Sequence, residues 1–188
     1  MRAPSNTAAG HTAAIDPQRF RQALGHFASG ITVITSQLEG EPIGFTCSAF
    51  YSVSMNPPLV SFSVKSSSYS YPLIRQAGRF AVNILSTDQA DVSRLFAQQG
   101  ADKWRAVKWQ ASSQGNPVIA DSLHWLDCAI HAEHAAGDHL IVIGEVKSLG
   151  ASDAGAAAQP LLYFQGRYGQ LAPLAACHEE ITPCRSAA

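Results

Sequence analysis

The sequence predicts a mainly β fold, an antiparallel barrel flanked by a few helices, on three observations. Short β-branched runs recur along the chain, a period-two alternation marks one long strand, and the strand–helix–strand rhythm of a parallel α/β sheet is missing. With 188 residues, 46% hydrophobic and 14% charged, the chain has apolar material for one core, and a second full domain is not expected. No internal repeat is visible.

Asp16 before Pro17 reads as an N-cap followed by proline at the first helical position, and Phe20, Ala23, Leu24 and Phe27 recur on one helical face. That helix ends near Ser29-Gly30, after which Ile31, Val33 and Ile34 with interleaved threonines form a strand. Leu38-Glu39-Gly40-Glu41 turns the chain. The runs Ile43 to Phe50 and Leu59 to Val64 are strand-like, separated by Asn56-Pro57-Pro58, which continues neither a helix nor a central strand.

A helix is expected over Tyr71 to Ala77 and a strand over Arg79 to Leu85. Ser86 with Gln89 three residues on has the pattern of a capping box, and Val92, Leu95 and Phe96 give the following helix its apolar face. Residues 98 to 121, with Trp104 and Trp109, read as a loop-rich excursion. From Leu126 the residues Leu126, Cys128, Ile130 and Ala132 alternate with Asp127, His131 and Glu133, as in a half-buried strand. Ala135-Ala136-Gly137-Asp138 turns into a second long strand, His139 to Leu149. Asp153 to Gln159 reads as an alanine-rich loop and Leu161 to Gln165 as a last strand before Gly166.

Several function classes lose support at once. A formal net charge of −1 lacks the basic footprint that nucleic acid requires, so no nucleic-acid partner is expected. No run approaches the roughly 18 to 20 apolar residues that span a bilayer, so no membrane association is expected. Met1 to Ala14 has no apolar signal region and reads as a loose tail. Four cysteines, Cys47, Cys128, Cys177 and Cys184, are too sparse for a disulfide framework and point to a reducing cytoplasm. Cys177, His178 and Cys184 lack a fourth partner and are not expected to hold metal.

The sequence contains no GxGxxG turn, no Walker A loop, no GxSxG elbow and no HExxH pair. His131 and His134, flanking Glu133, lie three apart on a strand and so face opposite sides, as surface histidines rather than ligands. Gly44-Phe45-Thr46-Cys47-Ser48 carries small and hydroxyl-bearing residues that let a planar ligand approach a strand. Lys65-Ser66-Ser67-Ser68-Tyr69-Ser70 concentrates hydroxyls and an ammonium before a helix start, which suits either a phosphate or a simple N-cap. Asn83 within a strand is either a buried structural amide or a ligand contact.

Together, these segments resemble the flavin reductase-like family, whose fold is the FMN-binding split barrel. The matching stretches are FRQALGHFASGITVIT from Phe20 to Thr35, GFTCS from Gly44 to Ser48, SMNPPLV from Ser54 to Val60 and GRFAVNIL from Gly78 to Leu85. Gly137-Asp138-His139 and PLLYFQGRY from Pro160 to Tyr168 complete the match. The likeness covers about residues 15 to 171, which sets the expected domain, with flexible tails at 1–14 and 172–188. It is strongest toward reductase components of two-component flavin-dependent monooxygenases. Ser29, the run Cys47-Ser48-Ala49 and the serines at 66 to 68 depart from the commoner family pattern.

The resemblance implies a Greek-key split barrel, a homodimer, and hydride transfer from NADH or NADPH to FMN or FAD, with reduced flavin passing to a partner monooxygenase. It implies no catalytic acid or base, only orientation of two rings. Pro42, Ile43, Gly44, Phe45 and Thr46, with Ser48 and Ala49, would lie along the isoalloxazine and ribityl chain. Ser63, Val64, Lys65, Ser68, Tyr69 and Ser70 would surround the ribityl and phosphate, and Leu95 with Phe96 would close the site. His139, Arg167 and Tyr168 match positions near the nicotinamide. Two other readings remain open at this point, an oxidoreductase that retains its flavin for another small acceptor and a non-catalytic flavin-binding protein.

Overall fold

The computed structural model describes residues 15–100, 102–151 and 158–172. The tail at 1–14, most of the tail at 172–188 with Cys177, His178 and Cys184, and most of the Asp153 to Gln159 loop lie outside the described residues.

Helix α1 (Pro17–Leu24) starts as its sequence dictates. The Asp16 carboxylate accepts from the backbone N–H groups of Gln18 (3.1 Å) and Arg19 (3.3 Å), and Pro17 fills a position whose N–H would have no intrahelical partner. Its apolar face finds no cover among the described residues, since Phe20 and Leu24 are exposed and Phe27 just beyond is 81% exposed. Strands β1 (Ser29–Gly30) and β2 (Thr32–Leu38) follow, and the turn at Glu39 and Gly40, both at positive φ, leads into β3 (Glu41–Cys47). The strand expected over Ile43 to Phe50 is two strands, because the chain breaks at Ser48-Ala49 and Phe50 opens β4 (Phe50–Met55), which pairs with β5 (Pro58–Lys65).

Helix α2 (Ser70–Ala77) ends on Gly78 in the left-handed conformation, and β6 (Arg79–Ile84) follows. The Gln89 side-chain oxygen accepts from the Ser86 N–H (3.1 Å), which starts a short 3-10 turn and then α3 (Ala90–Ala97). The excursion read as loop contains a small hairpin, β7 (Trp109–Ala111) with β8 (Pro117–Ile119). Strands β9 (His124–Ala136) and β10 (His139–Ala151) form a long hairpin about Gly137. The run expected as one last strand is β11 (Leu162–Phe164), which turns at Gln165-Gly166 and pairs with β12 (Arg167–Gly169).

Among the described residues, seven strands form one antiparallel sheet in the order β3-β2-β6-β9-β10-β5-β4. This order demands closure. Strands β3 and β4 occupy opposite edges, yet only Ser48 and Ala49 separate Cys47 from Phe50, a reach of about 11 Å over three Cα–Cα steps. The sheet therefore curls until its edges approach, and the Ser63 N–H, donating to the Ala49 carbonyl (3.0 Å), carries the β4–β5 pairing up to the crossing.

Curling divides the apolar residues between two cores. Inside the barrel Ile34, Phe62, Phe80, Val82, Cys128 and Val142 are fully buried, and Phe62 meets Phe45, Tyr71 and Phe80 edge-on. On the outer face, Val33 and Leu85 join Phe96, Ile119 and Leu161 in a second cluster that includes α3. Asn83 belongs to that layer. Its amide donates to the Val33 carbonyl (3.1 Å) and Thr35 Oγ1 (3.0 Å) and accepts from the Ile119 N–H (2.8 Å), so it is a structural amide. Asn83→Ala orphans these buried groups and is expected to cost about 3 kcal/mol, read as an earlier midpoint in urea unfolding.

The alternation expected for β9 holds from Leu126 through Cys128 to Ile130, which pack on the barrel core, but Asp127 on the other face does not meet solvent. Asp127 is fully buried beneath the segment that leads into β8, bonded by the Asn116 amide (2.5 Å) and the Gln114 N–H (3.3 Å), while the β9–β10 register shifts at Ile143/Gly144 and Val146/Ser148. Glu133 fastens α2 to the barrel, accepting from the Tyr71 hydroxyl and from Arg75 Nε (2.8 Å). Burial alone would raise the Glu133 carboxyl, but the hydrogen bonds from Arg75 and Tyr71 hold it below its ordinary range.

Candidate functional site

A groove of about 1220 Å³ opens at the barrel seam. Its position follows from the topology, since β3, the Ser48-Ala49 crossing and the end of β5 are the elements that closure brings together. Of the residues expected to meet flavin, Pro42, Ile43, Gly44, Phe45, Thr46, Ser48, Ala49, Ser63, Val64, Lys65, Ser68, Tyr69, Ser70 and Phe96 all line it. Leu95 does not. It packs on the second core, as Phe96 does, but does not reach the groove.

Strand β3 is an edge strand in the sheet order, so one row of its peptide groups faces away from β2. Gly44 has a specific reason to be glycine. A Cβ there would lie 2.8 Å from Phe96 Cε1 and 3.1 Å from the Ile34 carbonyl oxygen, so only glycine lets α3 rest on β3 with Phe96 where it stands. Two residues on, Thr46 Oγ1 donates to the Ser93 carbonyl (2.6 Å) and ties the same pair of elements.

Beyond β5, the Ser68 N–H donates to the Lys65 carbonyl (2.9 Å), closing a turn, and Ser68 Oγ accepts from the Tyr71 N–H (3.2 Å), capping α2. The capping role leaves the Ser68 hydroxyl proton free to donate. Lys65, Ser67, Ser68 and Ser70 thus line the groove at the start of a helix, where backbone dipoles favour an anion. His139 stands beside them, because the β5–β10 register pairs it with Lys65. Its Nδ1 lies 2.7 Å from Asp138 Oδ1, and this hydrogen bond, with the histidine's charge, holds the Asp138 carboxyl below its ordinary range.

Arg167 and Tyr168 are not brought to His139. Tyr168 lies against α3, its hydroxyl 2.9 Å from Ser93 Oγ and its ring beneath the Arg94 guanidinium at 5.0 Å. Arg167 is exposed on the β11–β12 hairpin, opposite Phe164. Neither lines the groove.

Lys103 and Trp104 line the groove without having been singled out in the sequence. Lys103 Nζ lies 3.2 Å from the Phe96 carbonyl oxygen and 3.4 Å from that of Gly44, and burial lowers its pKa. Trp104 stands edge-on to Phe96 (5.0 Å between centroids) and to Trp109 (5.6 Å), so an aromatic stack holds this segment in place. Lys103-Trp104 lies in a stretch without periodicity, and only the tryptophan density there could have signalled it. Cys47 also lines the groove, but burial pushes its thiol up to about 11, which keeps it neutral at pH 7.

The groove thus offers a planar polar edge on β3, a cation with hydroxyls at a helix start, an imidazole, and a second cation beside aromatic rings. A comparison with protein families matches residues 24–172 to the flavin reductase like domain, a span that holds every groove residue named above. The chain belongs to the flavin reductase like family. It is 41% identical over 172 residues to the reductase subunit HsaB of a flavin-dependent monooxygenase from Mycobacterium tuberculosis, covering 92% of this chain and 89% of that one. The structure of nitrilotriacetate monooxygenase component B from Mycobacterium thermoresistibile matches with a TM-score of 0.81 at 37% identity, over 93% of this chain and 99% of that one. The NADH:FAD oxidoreductase SgcE6 of Streptomyces globisporus, solved with NAD and FAD fragments, matches with a TM-score of 0.79 at 34% identity, over 86% and 98%. The antiparallel barrel derived above from strand order is therefore that of a flavin reductase like domain.

Proposed function

We propose that the chain is an NAD(P)H:flavin oxidoreductase that reduces FMN or FAD and supplies it to a partner flavin-dependent monooxygenase. The observation that carries this reading is the seam groove, where the β3 edge, the Lys65–Ser70 turn and His139 converge in a flavin reductase like chain. The residues present fit a flavin. The groove exceeds the roughly 300 to 1,000 Å³ of ordinary ligand pockets, its β3 wall has peptide groups to spare, and its cation and hydroxyls stand at a helix start.

Bound there, flavin supplies an acceptor for hydride from the nicotinamide. The chain binds and orients. Pro42 to Thr46 with Ser48 and Ala49 would hold the isoalloxazine and ribityl chain, and Ser63, Val64, Lys65, Ser68, Tyr69 and Ser70 the ribityl and phosphate. Phe96 closes the wall, while Leu95 acts from behind by seating α3. Tyr168 likewise acts through α3, by way of Ser93. No side chain is required to move a proton, and Cys47 stays a neutral thiol.

His139 is assigned to the nicotinamide side, where an imidazole donor fixes the distance and angle between two rings. His139→Ala is expected to raise the KM for NADH or slow flavin reduction by about tenfold, the loss of one hydrogen bond, with flavin affinity nearly unchanged. Normal NADH kinetics with collapsed flavin binding would move His139 to the other ligand.

The uncovered apolar face of α1, with Phe20, Leu24 and Phe27, supports a homodimer. A monomeric mass in light scattering at micromolar concentration contradicts that. The sparse cysteines support a cytoplasmic setting, and the matched family span supports one domain over residues 15–171. The test of the activity is NADH or NADPH oxidation by purified protein with flavin omitted and then added. Turnover only on addition supports the reading, turnover without it indicates retained flavin, and bound flavin with no oxidation under any condition indicates a binding protein.

A further inference from the structure

The Lys65 turn accounts for one phosphate, yet the same groove holds a second cation at its α3 side. Lys103 is the lysine of the described residues whose ammonium burial disfavours. It is half-buried, it forms no ion pair with any carboxylate there, and its only polar partners are two carbonyl oxygens at 3.2 and 3.4 Å. An ammonium has three donors, and two long contacts to neutral acceptors with the Phe96 ring at 5.7 Å give it no anionic partner among the described residues. Burial accordingly disfavours the charged form. A half-buried lysine kept in that state gains most from an anion.

The surroundings decide what kind of anion. The carbonyl ends of α3 carry partial negative charge, and Lys103 sits on that of Phe96, so it shields the helix end that would otherwise repel a phosphate. Trp104 follows directly and lines the groove, held at 87° to Phe96, which places an aromatic surface beside the cation. The other charged groups on the groove are Glu41, Lys65 and His139, of which Lys65 and His139 face each other across the β5–β10 pair. A mononucleotide has one phosphate, which the Lys65 turn would hold, so a second cation on the same groove answers a further phosphate.

We propose that Lys103 anchors the pyrophosphate of a dinucleotide whose far end lies along the α3 side of the groove. This rests on the flavin reductase reading, and two dinucleotides share the chemistry, FAD and the nicotinamide donor. Lys103→Gln keeps hydrogen bonding to the two carbonyls but removes the charge, and Lys103→Arg keeps the charge. Flavin fluorescence titration with FAD, FMN and riboflavin, and the KM for NADH at saturating FMN, separate the two sources.

Lys103→Gln is expected to weaken FAD by about tenfold, or to raise the KM for NADH by about tenfold, the loss of one charge-assisted contact. FMN and riboflavin should stay within about twofold, and Lys103→Arg should restore most of the loss. The FAD arm assigns the pyrophosphate to the flavin, the NADH arm to the donor. Equal losses for all three flavins would show that Lys103 only braces Gly44 against α3, and no change in any arm would remove the anchor altogether. Should the wild type bind FAD more tightly than FMN through Lys103 yet oxidise no NADH, the activity reading fails and the anchor stands.

Discussion

Lys65→Ala is expected to weaken FMN by roughly thirtyfold while leaving riboflavin within about twofold, since a charge-assisted contact to phosphate contributes about 2 kcal/mol. The expectation rests on where β5 ends. Its last residue delivers an ammonium to the groove, and the turn that follows sets hydroxyls at the start of α2. Ser70→Ala should act in the same direction with a smaller effect. Ser68→Ala should also lower thermal stability by about 1 kcal/mol, because Ser68 Oγ caps α2 through the Tyr71 N–H. Fluorescence titration with both flavins reads the difference. Equal weakening of FMN and riboflavin would place the phosphate away from this turn.

Gly44→Ala should affect every flavin alike. The new Cβ lies 2.8 Å from Phe96 Cε1 and 3.1 Å from the Ile34 carbonyl oxygen, so α3 or the Phe96 ring has to shift. Overpacking of this kind costs about 1 to 3 kcal/mol, and Phe96 is part of the groove wall. Affinity for FMN, FAD and riboflavin is expected to fall by about tenfold together, with a lower melting temperature. Phe96→Leu in the same chain should relieve the clash, so the double variant should be less than the sum of the two singles. Undiminished flavin binding by Gly44→Ala would mean that the Phe96 wall plays no part.

The local chemistry of the site was legible because it is written in consecutive residues. The Asp16 cap, the Ser86–Gln89 pair and the Lys65–Ser70 turn each need only a short stretch of chain, and each forms as that stretch dictates. Gly44 was picked out for a different reason from the one the structure gives. Small residues on a strand were read as room for a ligand, whereas the space at Gly44 is taken by Phe96, fifty-two positions on in the chain.

What was not legible depends on distant partners. Lys103 reaches the groove only because Phe96, Trp104 and Trp109 stack, and no periodicity records that. Asp127 sits in a run that alternates well and keeps its outer face, but the distant β7–β8 segment covers that face and Asn116 bonds the carboxylate. Tyr168 was linked to the nicotinamide by resemblance, while in space it lies against Ser93 and Arg94 on α3. The break at Ser48-Ala49 escaped for the same reason. A two-residue crossing between opposite sheet edges is a property of closure, not of local propensity.

The central claim is that the seam groove is where hydride passes from a nicotinamide to a flavin. Anaerobic stopped-flow mixing of NADH, and separately NADPH, with the protein and oxidised FMN or FAD follows that step through loss of the oxidised flavin's visible absorbance. The account predicts bleaching that saturates with nucleotide, greatly exceeds the protein-free rate and slows in His139→Ala. Bleaching no faster than in the absence of protein, with both nucleotides and both flavins, would contradict it.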